Sequence, residues 1–192
     1  MPEETGLANT ENEKPVLHWP EEILELAKRI RLAIFDVDGV LTDGGLHFTD
    51  DGREIKSFHV RDGLGLKWLN ENGITVAIIT GRTSLIITER MAQLGIDHVY
   101  QGRMDKLETY QNLLSALGLD DSQVVYTGDD IIDLPVMNRC ALPVAVRDAH
   151  PLVRQKARWI TERNGGQAAA REVCDLLLSA QGILPGLLEK YA

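Results

Sequence analysis

The feature that most constrains the fold is a repeated change of hydrophobic period along the chain. Short runs rich in β-branched residues lie at Leu32–Phe35, Ile74–Ile79, His98–Tyr100, Val124–Tyr126 and Pro143–Val146. Continuous apolar runs of this length read as strands buried on both faces of a parallel sheet. Between them, Leu64–Asn70, Ser84–Leu94, Lys106–Leu117 and Ile131–Arg139 space their apolar residues as helices do, with Gly73, Gly95 and Gly118 placed to cap three of them. Strand and helix in alternation predict an α/β fold, a central parallel sheet flanked by helices with right-handed crossovers. Two exceptions flank this rhythm. Pro20-Glu21-Glu22 opens a short helix through Arg29, and Leu46–Thr49 with Glu54–Phe58 around Asp50-Asp51-Gly52 reads as a β-hairpin directly after the first strand. A last strand near Ala157–Thr161 and a helix from Gln167 to Ser179 close the domain. The expected organisation is an arm over residues 1–20, flexible or loosely docked, one domain over 21–181 and a partly apolar tail over 182–192.

With 192 residues, 44% hydrophobic and 26% charged, the chain suits one globular domain with a substantial core. Its net charge of -9, with no run of Lys or Arg, argues against nucleic acid or an anionic membrane as partner. No apolar stretch is long enough to span a bilayer, and Met1 to Pro15 lacks the basic and apolar regions of a secretory signal. Cys140 and Cys174 form neither a CxxC pair nor a zinc set, a usage that suits a reducing cytosol.

Ligands of open parallel sheets bind outside the carboxyl ends of the strands. There the first strand ends in Asp36-Val37-Asp38-Gly39-Val40 and the second in Thr80-Gly81-Arg82. Lys106 follows the third at a helix start. The fourth ends in Gly128-Asp129-Asp130, with Asp133 one helical turn further on. Taken singly, the DxD is a polar turn, Thr80 a helix cap and Lys106 a solvated charge. Together, at successive strand ends, they suit phosphoryl transfer. A phosphate monoester is a dianion that resists an anionic nucleophile, and Mg²⁺, which takes hard oxygen ligands, screens that repulsion. Asp36, Asp129 and a backbone carbonyl near Asp38 are the expected protein ligands. Asp36 is the expected nucleophile and Asp38 the expected acid and base, while Lys106 and Thr80 are expected to hold phosphoryl oxygens.

These motifs match the four that define the haloacid dehalogenase (HAD) superfamily. DVDGVLTDG, FHVRDGLG, AIITGR, YQGRMDKL, GDDIIDLPVM, AVRDAHP and REVCDLLLSAQG together resemble one of its subfamilies, the 3-deoxy-D-manno-octulosonate 8-phosphate (KDO 8-phosphate) phosphatases, over roughly Arg31 to Gln181. The resemblance implies a Rossmann-like HAD fold, Mg²⁺ as cofactor, and a cytoplasmic enzyme of lipopolysaccharide synthesis that passes through an aspartyl phosphate. It also implies a homotetramer with no cap domain. The spans Asp38–Thr80 and Thr80–Lys106 leave no room for such an insertion, so the resemblance makes a neighbouring subunit cover the site. It carries substrate contacts to His59, Val60, Arg61, Asp62, Gly63, Lys67, Arg82, Arg90 and Lys106, and supporting roles to Asp130 and Asp133. Arg61 suits the sugar carboxylate, because Arg pairs bidentately with carboxylates. One departure stands at Gly165-Gly166-Gln167-Ala168-Ala169, where the family commonly has a basic residue in place of Gln167; a neutral amide there brings no charge.

Other readings compete. A related phosphatase would act on the 9-phosphate of a nine-carbon sugar acid. A phospho-receiver module also gathers acids, a Thr and a Lys at strand ends, but has no need of a second acid at Asp38. A non-catalytic relative is conceivable beside a partner domain, of which this chain has none. A Rossmann dehydrogenase would need GxGxxG after the first strand, and none is present.

Overall fold

The computed structural model describes residues 18–191. The expected arm therefore falls mostly outside the described residues. Six strands, β1 (Leu32–Phe35), β4 (Thr75–Ile79), β5 (His98–Tyr100), β6 (Val124–Gly128), β7 (Leu142–Ala145) and β8 (Trp159–Ile160), form one sheet in the order β5-β4-β1-β6-β7-β8. Every pairing in it is parallel. Strands β1, β6 and β7 are buried along their whole length, as sequences without polar alternation require. The remaining strands, β2 (His47–Phe48) and β3 (Glu54–Ile55), pair antiparallel as a separate hairpin. The hairpin was expected, with longer arms than the two residues on each side that actually pair.

The helices are α1 (Glu21–Ala27), α2 (Val60–Glu71), α3 (Leu85–Leu94), α4 (Lys106–Leu117), α5 (Leu134–Met137), α6 (Pro151–Lys156), α7 (Ala169–Ala180) and α8 (Leu184–Leu188). α7 packs on α1 and α2, with α3 beside α2, while α4, α5 and α6 pack in series. Chain order runs outward from β1 through β4 to β5, then returns to β6 on the other side of β1. That reversal opens a crevice at the carboxyl ends of β1 and β6.

Local chemistry explains where the elements stop and where they depart from expectation. α3 and α4 end at Gly95 and Gly118, both left-handed, and Asp105 caps α4 by accepting the Leu107 N–H. α2 starts at Val60 rather than Leu64, because the His59 ring accepts the Arg61 N–H. The expected helix over 131–139 divides: Asp130 and Asp133 close a capping box around a 3₁₀ turn, and α5 begins anew with Pro135 in its first turn. α7 starts at Ala169 instead of Gln167, since Ala168 is left-handed at φ 72°. α6 was not expected; six residues are too few to show a period, although Pro151 after the capping His150 marks its start. The tail continues as α8, buries Leu184 and Leu187, and brings the Tyr191 ring within 6.1 Å of Trp68.

Candidate active site

Asp36 extends β1, donating its N–H to the Thr127 carbonyl of β6. Its carboxylate is buried. Oδ1 accepts the Val37 N–H at 2.7 Å and Oδ2 lies 2.7 Å from Lys106 Nζ. The chain then turns tightly, with the N–H groups of Val40, Leu41 and Thr42 all directed at the Val37 carbonyl. Gly39 takes a φ of +88°, and a Cβ there would lie 2.1 Å from Asp129 Oδ2, so only glycine lets the two strand ends approach this closely. The loop before α7 supports the turn from outside. Gly166 donates to the Val40 carbonyl at 2.9 Å, and a Cβ on Gly165 would sit 1.8 Å from the Gly39 oxygen.

Lys106, the first residue of α4, is buried and bridges Asp36 to Asp133, whose Oδ1 is 2.6 Å from Nζ. A buried ammonium is tolerated only when paired. Burial pulls the Lys106 pKa down, but Asp36 and Asp133 outweigh it and hold the group above its ordinary value, hence charged. Asp133 Oδ1 also accepts the Tyr126 hydroxyl at 2.6 Å, and Oδ2 accepts the N–H groups of Asp129 and Asp130 at 2.9 and 3.2 Å. With both oxygens engaged by protein donors, Asp133 orders the β6 end and has little left to offer a ligand. Asp130 likewise turns its carboxylate to the Ile131 N–H.

Asp129 is different. Its Oδ1 is buried and has no hydrogen-bond partner. Burial, then the charges of Asp133 and Asp36, push its pKa up to about 8. Burial also raises Asp36, against the pull of Lys106, to about 6. Oxygens of Asp36, Asp129 and Asp133 lie within 4.8 Å of one another. Crowded carboxylates, one with an orphaned oxygen, fit a hard divalent cation: its charge offsets the repulsion and its coordination sphere takes oxygen donors.

Thr80 follows β4 beside this group and is buried. Its hydroxyl accepts the Arg82 N–H at 3.4 Å, and its carbonyl accepts the Arg103 N–H at 2.9 Å. Asp38 is held by Lys56, which is itself paired with Glu54, and neither residue was singled out in the sequence. Lys56 Nζ binds Asp38 Oδ1, and Glu54 Oε1 lies 3.3 Å from the same Nζ. Glu54 also accepts from Arg82 Nη2 at 3.0 Å, while Arg82 Nε is 3.9 Å from Asp38 Oδ2. Glu54 and Lys56 are two residues apart and share one face of the hairpin. That alternation, on a hairpin following the first strand, was the available signal.

The remaining expected contacts are more scattered. Val60 and Arg61 are exposed on the first turn of α2. Arg61, with Trp19, Trp159, Arg163 and Arg171, lines a cleft of about 670 Å³ that none of the clustered carboxylates borders. Asp62 is buried and faces α7, where its Oδ1 accepts the Arg171 N–H at 2.7 Å; burial lifts its pKa to about 6. Gly63 leaves room for Arg90, whose Nη2 would lie 2.3 Å from a Cβ there. Lys67 points outward and pairs with Glu71 at 3.7 Å. Gln167 is exposed.

Comparison with known proteins places this geometry in context. A family model of haloacid dehalogenase-like hydrolases matches residues 96–172. The 3-deoxy-D-manno-octulosonate 8-phosphate phosphatase KdsC of Yersinia pestis is 49% identical over 166 residues, covering 86% of this chain and 89% of its own. The 3-deoxy-D-manno-octulosonate 8-phosphate phosphatase of Moraxella catarrhalis, solved with a magnesium ion, a phosphate ion and KDO, superposes with a TM-score of 0.87 at 40% identity, covering 89% of this chain and 98% of that one. The cobalt-bound deoxy-D-mannose-octulosonate 8-phosphate phosphatase of Haemophilus influenzae gives 0.79 at 43% identity, covering 82% and 92%.

Proposed function

This chain belongs to the 3-deoxy-D-manno-octulosonate 8-phosphate phosphatases, a family of haloacid dehalogenase-like hydrolases, and from that membership we propose that it hydrolyses KDO 8-phosphate to KDO and phosphate. The observation that carries the reading is Asp36, held by Lys106 beside Asp129, whose Oδ1 has no protein partner. Asp36, Asp129 and the Asp38 carbonyl would hold Mg²⁺, which when bound neutralises the phosphoryl dianion and screens it from the incoming carboxylate.

Asp36, largely ionised above pH 6, attacks phosphorus. The bond from phosphorus to the C8 oxygen breaks with its electron pair on that oxygen, which takes a proton from Asp38. Asp38 then removes a proton from the water that splits the aspartyl phosphate. Lys106 keeps Asp36 aimed and, with the Thr80 hydroxyl, holds phosphoryl oxygens as charge shifts. Arg61 takes the sugar carboxylate, with His59, Val60, Lys67, Arg82 and Arg90 completing the substrate contacts. Asp62 and Gly63 act by seating α7 and Arg90; Asp130 and Asp133 act by fixing the β6 end. The enzyme works in the cytoplasm as a homotetramer in lipopolysaccharide synthesis, with a neighbouring subunit covering the open site. Residues 21–181 form its one catalytic domain, between an N-terminal arm and a C-terminal tail.

The test is phosphate release from KDO 8-phosphate with added Mg²⁺. Asp36→Asn keeps the shape and removes the nucleophile, so turnover should fall by roughly a thousandfold or more with an unchanged circular dichroism spectrum. A variant that still turns over within tenfold of the parent would remove Asp36 from the role.

A further inference from the structure

The side chain of Lys56 is only 2% exposed, although it belongs to a hairpin that is otherwise mostly open to solvent. An ammonium so placed must be paired to be tolerated. Its partners are Asp38 Oδ1 and Glu54 Oε1, and Glu54 in turn holds Arg82, which returns toward Asp38 Oδ2. Four side chains, acid and base in alternation, thus close a ring. The ring treats the two oxygens of Asp38 unequally. Oδ1 is bound by Lys56, whereas Oδ2 is buried, has no hydrogen bond, and stands 3.9 Å from Arg82, beyond bonding range.

We infer that Lys56 is a positioning residue for the leaving-group step: by fixing Oδ1 of Asp38 it presents Oδ2 as the one atom that delivers the proton. This rests on the reading of Asp38 as the proton donor. The proton on Oδ2 passes to the departing oxygen as its bond to phosphorus breaks, and the electron pair of that bond becomes the new O–H bond. An Asp side chain without a tether samples several rotamers, and a misplacement of about 1 Å at a reacting centre can cost a hundredfold in rate. The arrangement parallels the nucleophile. Each carboxylate of the DxD turn is gripped by its own buried lysine, Lys106 from α4 for Asp36 and Lys56 from the hairpin for Asp38.

Leaving-group dependence separates this role from a merely structural one. A sugar alkoxide needs a proton to depart; p-nitrophenolate does not. The intact enzyme with Mg²⁺ is assayed on KDO 8-phosphate and on p-nitrophenyl phosphate, beside Lys56→Met and Asp38→Asn. Lys56→Met is expected to lower kcat/KM, which excludes the later hydrolysis of the aspartyl phosphate common to both esters, by roughly 30- to 100-fold on the sugar ester and at least tenfold less on the aryl ester. Asp38→Asn should show the same selectivity, more strongly. Lys56→Gln, which keeps a donor without the charge, carries the same readout should the Met variant fail to fold. Equal losses on both esters in the Lys56 variants, or no loss, overturn the inference while a selective Asp38→Asn leaves the proton-donor reading standing. If Asp38→Asn is not selective, the proton-donor reading fails and the inference falls with it.

Discussion

Binding of Mg²⁺ to this site must expel protons, and the amount follows from the two raised carboxyls. Without a cation, Asp129 titrates at about 8 and Asp36 at about 6. Metal ligands must be ionised, so each protonated carboxyl weakens apparent binding by the fraction of protein that carries it. At pH 7 a group at about 8 is roughly nine-tenths protonated and a group at about 6 roughly one-tenth, so binding should release about one proton. At pH 8.5 the release should fall to about a quarter of a proton, nearly all from Asp129. Between pH 6.5 and 8.5 the apparent affinity should rise roughly 30-fold. Calorimetric titration of metal-free protein in buffers of different ionisation enthalpy measures both quantities. Stability supplies a second readout with a definite sign. A carboxyl whose folded pKa lies above its unfolded value is favoured as the acid in the fold. Stability of the metal-free protein is therefore lost as pH rises from about 4 through about 8, and saturating Mg²⁺ should raise the melting temperature most at the alkaline end. Asp129→Asn should abolish most of the proton release. An affinity that stays constant between pH 6.5 and 8.5, or binding with no proton release at pH 7, would refute the argument that these buried carboxyls are uncompensated without a cation.

Two further outcomes follow from the same geometry. Gly39→Ala places a Cβ 2.1 Å from Asp129 Oδ2 at a φ of +88°, so Mg²⁺ titration should show binding weakened at least tenfold, together with a loss of stability above about 1 kcal/mol in urea unfolding. Lys106→Met strips the shared cation from Asp36 and Asp133 and should cost about 3–5 kcal/mol at pH 8. The loss should be smaller at pH 5, where Asp36 takes up a proton and less charge is left unpaired; a pH-independent loss would argue that the deficit is one of packing.

The alternation of strand and helix, and the set of polar residues at strand ends, were legible because each is written in contiguous residues. What resisted reading was set by contacts distant in sequence. Asp133 was visible one turn beyond the β6 end, but not its saturation by Lys106, Tyr126 and two backbone N–H groups, which separates its work from that of Asp129. Asp62 sits in a stretch that resembles a substrate loop, yet its carboxylate turns inward to α7, 109 residues away. Lys56 fell inside the expected hairpin with no role attached, since only the fold brings it to Asp38. Helix boundaries slipped for a different reason. Ala168 is left-handed and Pro135 restarts the helix after the 3₁₀ turn, and neither effect registers in a hydrophobic period.

The hairpin ties these strands of argument together. Two strands of two residues each cannot hold themselves together in water. Lys56 and Glu54 tie this hairpin to Asp38 and Arg82, so it draws its order from the turn after β1. Phe48, opposite Glu54, and Ile55, opposite His47, lie on different faces of the hairpin, and with Leu46 they are about half exposed, at 58%, 52% and 50%. Single exposed apolar residues need no explanation, but three on so small an element leave apolar surface on both of its faces that association would bury. If the proposed tetramer closes on that surface, assembly stiffens the hairpin, and a stiffer hairpin holds Lys56 and the free oxygen of Asp38 more firmly. Subunit contact would then act on proton delivery through the hairpin while leaving Asp36, which is held from α4 and β6, untouched. A phosphatase built as proposed would gain from its neighbours more than shelter from water: the proposed nucleophile would be set by the fold of one chain, and the proposed proton donor by the fold together with the assembly.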